Sequence, residues 1–118
     1  MKLKILAFIA VVTMSGIGPA RAGFITAEEL LPLCESQLKW EKLVCINSMG
    51  GMAEAIDGLS ELGALKSGFI CIPNGTAIEQ LQEIFVKYAY ENIDKLKLGA
   101  GVMAMRAFSE SFPCGQGA

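Results

Sequence analysis

Apolar residues recur every three or four positions through most of the chain, the period of a helix with one buried face. Thr26-Ala27-Glu28-Glu29 has the capping-box arrangement, with Ile25 and Leu30 at the staple positions. It predicts a first helix to about Glu35 with Leu30, Leu31 and Cys34 inward. A second helix is expected from Lys39 to about Leu62, its inner face marked by Cys45, Ser48 or Met49, Met52, Ile56 and Leu59. Gly63 is a natural stop. Gly50-Gly51 costs helix propensity, about 1 kcal/mol per glycine relative to alanine. A closely packed neighbouring helix best explains such a pair, and a kink is the alternative. Residues 68–75 read as irregular, with a short extended piece, Phe69-Ile70-Cys71-Ile72, ended by Pro73. Thr76-Ala77-Ile78-Glu79 repeats the capping-box pattern and opens a third helix with Ile78, Leu81, Phe85 and Tyr88 inward. The last helix spans about Gly101 to Ser111, with Val102, Met105, Phe108 and Phe112 inward. The class is all-α: a small bundle of about four helices.

The N-terminus has a different pattern. Lys2 and Lys4 precede an uncharged stretch from Ile5 to Val12, and Gly16, Gly18 and Pro19 then break any helix. Ala20-Arg21-Ala22 places small residues at −3 and −1 of a cut after Ala22, the layout of a secretory signal peptide. The stretch is well short of the roughly 20 apolar residues that cross a bilayer. Residues 1–22 are therefore expected to be a cleaved signal. Residues 23–118 should form one exported, soluble domain that works outside the cytoplasm.

Cleavage changes the charge. The chain has ten basic and twelve acidic residues, and Lys2, Lys4 and Arg21 leave with the signal. Seven against twelve remain, a net charge of −5. No basic cluster survives to hold a phosphate backbone or an anionic membrane, so neither nucleic acid nor membrane is an expected partner.

All four cysteines, Cys34, Cys45, Cys71 and Cys114, lie in the exported part. In a small exported domain they read as a disulfide framework with three possible connectivities. A helical-hairpin turn around Gln37–Lys39 could bring Cys34 opposite Cys45, each one to two turns away from it, which leaves Cys71 with Cys114. The spacings lack the close C-x2–4-C pairs of a zinc site, so neither metal nor cofactor is expected.

Little points to catalysis. The chain contains no histidine, the commonest general base and metal ligand. Ser36-Gln37-Leu38-Lys39 matches an S-x-x-K string, but at a turn and without its partner motifs. Glu54 with Asp57, and Glu79 with Glu83, share helix faces and read as solvated surface. Asn74-Gly75-Thr76 is a glycosylation string whose simpler role is a turn before a helix.

The order of features carries a resemblance. Gly23-Phe24 is followed by Leu30-Leu31-Pro32-Leu33-Cys34-Glu35, then Cys45 and the Gly50-Gly51 helix running to Ala55-Ile56-Asp57. Cys71-Ile72-Pro73 with Gly75, Leu81, Val86-Lys87-Tyr88, and Ala107-Phe108 before Phe112-Pro113-Cys114 complete it. This resembles the Rap/Tai family of immunity proteins of type VI secretion. The resemblance implies a non-enzymatic, periplasmic, disulfide-bonded helical protein, commonly a homodimer, that binds and blocks a secreted peptidoglycan amidase. The chain departs from the family in lacking a proline and a histidine within Asn92–Gly101. It also has Ile46-Asn47-Ser48-Met49 where a tyrosine often follows the cysteine. The polar, glycine-containing segments Ala64–Gly68 and Pro73–Gly75 are the expected contact regions, with Lys66, Ser67 and Asn74 as candidate partner-binding residues. The alternative is a small periplasmic stress chaperone or general binding protein.

Overall fold

The structure is a computed structural model and describes residues 25–65 and 69–115. The expected signal segment at 1–22 and the candidates Lys66 and Ser67 lie outside the described residues. Among the described residues, four α-helices follow one another: α1 (Ala27–Glu35), α2 (Lys39–Glu61), α3 (Ile78–Glu91) and α4 (Ala100–Ser111). A single 3-10 turn, Ile93–Lys95, lies between α3 and α4. The all-α class and the helix order agree with the periodicity.

The start of α1 shows how local and tertiary terms combine. The capping box forms: the Glu29 amide donates to Thr26 Oγ1 at 3.2 Å, and the Thr26 amide to Glu29 Oε2 at 3.4 Å. Two further amides of the first turn, those of Ala27 and Glu28, donate to the carbonyls of Leu98 and Leu96, each at 2.9 Å. The Ala100 amide returns a bond to the Ile25 carbonyl at 2.8 Å. Donors that a helix start leaves unpaired thus tie α1 to the segment entering α4. Pro32 sits inside α1, where it removes one helical hydrogen bond. Burial of Leu30 and Cys34 and the bridge to α2 hold the turn despite it.

The bridges are Cys34–Cys45 and Cys71–Cys114. The first closes the α1–α2 hairpin across the turn at Ser36–Leu38, and the second ties the segment before α3 to the chain's end. At the far side of that hairpin, Gln82 of α3 donates to the Cys34 carbonyl at 2.6 Å, satisfying one acceptor that the end of α1 leaves open. Phe85 of α3 and Phe108 of α4 are fully buried beside Leu30, Met49, Leu81 and Met103. Among the described residues no charged or polar side chain is buried, so burial of apolar surface and the two bridges hold the domain.

Several expectations need correction. Thr76 does not cap α3: its hydroxyl donates to the Pro73 carbonyl at 2.7 Å, and α3 starts after Ala77 without a side-chain cap. The turn at 73–76 takes the hydroxyl that a capping box would have used. Val102 is 47% exposed, and the buried stripe of α4 is Ala100, Met103, Ala104, Ala107 and Phe108. The anchoring of Ala100 sets the rotation of α4, and its alanines let the helix lie close to its neighbours. Leu59 and Ile78, expected inward, are both about two-fifths exposed. Among the described residues, nothing packs unusually close on Gly50-Gly51. A Cβ on Gly50 would lie 3.4 Å from Ile78 Cδ1, an ordinary contact, and one on Gly51 would meet nothing within 4 Å.

Candidate functional site

Beyond the hairpin, α2 continues past the reach of α1, and this exposed half faces the segment that leads into α3. On α2, Gly50, Ala53, Asp57 and Ser60 recur at helical spacing and carry small or short polar side chains. A face without large apolar groups cannot fill the space beside it. The result is a groove of about 470 Å³ between this face and residues 70–76, within the size range of ligand and side-chain pockets. Ile70, Ile56 and Leu81 are buried beneath it, Ile72 is half-buried, and Ile78 stands at its mouth. Glu54 and Asp57, both exposed, lie along the α2 wall.

The opposite wall is held at both ends. Cys71 is bridged to Cys114, and its amide donates to the Phe112 carbonyl at 2.9 Å. Pro73-Asn74-Gly75-Thr76 closes a β-turn in which the Thr76 amide donates to the Pro73 carbonyl at 3.2 Å. The third position of that turn requires a positive φ in the type II pattern, and Gly75 adopts φ 85°. Pro73, Asn74 and Gly75 are exposed at the tip. The backbone and side-chain bonds from Thr76 both close this projection on the Pro73 carbonyl.

Of the sequence-derived candidates, the structure places Asn74 on the groove rim, across from Glu54 and Asp57. The disulfide residue Cys71 is part of the same wall. The α2 wall was missed. The signal for it was the run of small and polar residues at 50, 53, 57 and 60 on a helix whose other buried positions are large. No group of histidine, cysteine, aspartate or glutamate among the described residues is arranged to hold a metal.

Two surface features lie away from the groove. Leu38, Trp40, Leu43 and Val44, at the start of α2, are 54%, 62%, 47% and 39% exposed. Trp40, Leu43 and Val44 form an apolar stripe at i, i+3 and i+4 spacing, which isolated surface hydrophobics do not, and Leu38 stands at the helix cap before them. Tyr90 of α3 donates to Glu35 Oε2 of α1 at 2.8 Å. That bond, with lesser contributions from desolvation and the carboxylate's charge, raises the Tyr90 hydroxyl above its ordinary pKa of 10.0.

Searches of curated proteins and of solved structures return no match. Residues 26–114, from the cap of α1 to the last cysteine, match the family of Rap1a immunity proteins. The matched span contains all four helices, both bridges and the groove. The chain therefore belongs to the Rap1a immunity protein family, whose members are non-enzymatic inhibitors that bind a cognate effector.

Proposed function

We propose that this protein protects its producer in the periplasm by binding a secreted peptidoglycan amidase and covering its catalytic cleft. Family membership supplies the inhibitory role. Two disulfides in a small domain fit an oxidising compartment outside the cytoplasm, and the residues 1–22 expected to act as a signal would deliver the chain there. The observation that carries the mechanism is the turn at 73–76. It projects exposed side chains, yet it is fastened by the 71–114 bridge and by two hydrogen bonds from Thr76. A pre-ordered projection loses little entropy on binding, so it suits steric blockade of a cleft. Residues 64–68, with Lys66 and Ser67, are a second contact expected from the sequence.

The active unit in this reading is a homodimer. The apolar stripe Leu38, Trp40, Leu43 and Val44 favours it, because such a self-complementary patch is buried efficiently across a two-fold axis. It lies on the first half of α2, apart from the groove, and leaves the turn free.

The test is a protection assay. A secreted cell-wall amidase of the producing organism is directed to the periplasm, where it should lyse the cells. Co-expression of the full chain should prevent lysis, and a version without residues 1–22 should not. Lysis with the full chain present would refute the amidase reading, and protection without the signal would refute the compartment. Light scattering of the purified protein at micromolar concentration should give the mass of two copies, and Trp40→Glu should give one.

A further inference from the structure

The groove beside the turn is open, apolar at its floor and acidic along its α2 wall. Ile56 and Leu81 are buried beneath it, while Ile72 and Ile78 offer partly exposed aliphatic surface toward its mouth. Its α2 wall carries Glu54 and Asp57, neither ion-paired to a described residue. The charge extends beyond these two. Among the described residues from Leu43 to Val86, every charged side chain is acidic: Glu54, Asp57, Glu61, Glu79 and Glu83. The basic side chains of the described domain lie outside this stretch, on the start of α2 and from Lys87 onward.

We propose that this groove is a specificity pocket for the effector, receiving an aliphatic or aromatic side chain flanked by a lysine or arginine. The assignment rests on the immunity reading and gives it a further contact, next to the projecting turn. An apolar floor favours an apolar side chain by removing it from water. The acidic wall selects a neighbouring cation, and it raises the rate of encounter with a basic surface. The same acidic wall disfavours effectors that present a carboxylate there, because an unpaired like charge is costly to desolvate. The 470 Å³ volume admits one large side chain and part of its neighbours. The turn and the pocket share the wall at residues 71–76, so one effector surface can meet both.

The experiment uses the full chain and a catalytically inactive form of the amidase from the protection assay, with affinity measured by titration calorimetry. Glu54 and Asp57 are exposed, so E54K/D57K should fold as the parent does, with unchanged circular dichroism. It should bind at least tenfold more weakly. Ile78→Asn, at the pocket mouth, should weaken binding similarly without changing the salt dependence. Raising salt from 0.05 to 0.5 M should weaken the parent complex several-fold and the E54Q/D57N complex much less. A photo-crosslinker at position 78 should attach to an effector segment containing an apolar residue beside a lysine or arginine. Reversing that basic residue to glutamate should restore binding to E54K/D57K. If the parent binds tightly and the variants stay within twofold of it, the groove assignment falls while the immunity reading stands. If the parent forms no complex, both fall.

Discussion

The two disulfides close loops of different length in different surroundings, and that difference makes an unexpected ordering testable. Cys71 and Cys114 are 43 residues apart and Cys34 and Cys45 are 11 apart. By loop entropy alone, their removal costs about 4 and about 3 kcal/mol respectively. The surroundings reverse that order. Cys71 is exposed and Cys114 only half-buried, so replacing both with serine leaves the native state nearly unchanged. The whole effect of C71S/C114S then lies in the unfolded chain, about 4 kcal/mol. Cys34 and Cys45 are 3% and 0% exposed in the core. C34A/C45A therefore adds lost packing of about 1–2 kcal/mol to the entropic term, on the scale of small core truncations. The shorter bridge should cost at least as much as the longer one. Either loss is a large part of the 5–15 kcal/mol that stabilises a domain. At about 4–8 °C per kcal/mol for a chain of this size, C71S/C114S should melt about 15–30 °C lower. Urea unfolding followed by far-ultraviolet circular dichroism measures both, since the exposed Trp40 is a poor reporter of the core. The slope m should rise as the unfolded chain gains freedom to expand. A cost below 1 kcal/mol for C71S/C114S, or one exceeding that of C34A/C45A by more than 1 kcal/mol, would refute this accounting.

Phe85, fully buried between α3 and its neighbours, should cost about 3–5 kcal/mol when changed to alanine, measured by the same urea titration. Gly51→Ala should stabilise by about 1 kcal/mol, because a methyl there meets nothing within 4 Å and the helix gains propensity; a loss would indicate hidden crowding. Thr26→Ala should cost about 1 kcal/mol as a lost cap. Thr76→Ala should instead loosen the turn, read as faster amide exchange at residues 73–76 with little change in global melting. The Tyr90 hydroxyl titrates above its unfolded value of 10.0 because it donates to Glu35. Its contribution is complete below that pH and is lost as pH rises through the folded value, so Tyr90→Phe should flatten the alkaline decline in stability above pH 10.

The helices were legible because their signals are local. The Thr26–Glu29 box, the apolar spacing from Leu81 to Tyr88 and the stop at Gly63 involve residues within a turn or two, and each appears where it was expected. The disulfide pairing was half-legible: a tight hairpin constrains Cys34 and Cys45 to meet, and Cys71–Cys114 follows by elimination. Family membership was readable from the order of cysteines, prolines and glycines, which the match over residues 26–114 bears out.

Other features were decided by contacts between distant segments. The roll of α4 depended on a hydrogen bond from Ala100 to Ile25, 75 positions earlier in the chain, which periodicity cannot register. The groove is a further case. It exists because α2 is longer than the helix packed beside it and because a bridged segment stops short of filling the gap. Sequence by itself determined the helices, the bridges they permit and the family. Which faces those helices leave open, and so where a partner can dock, was decided only when distant segments met. Burial is a property of pairs of surfaces, and a single strand of residues specifies only one member of each pair.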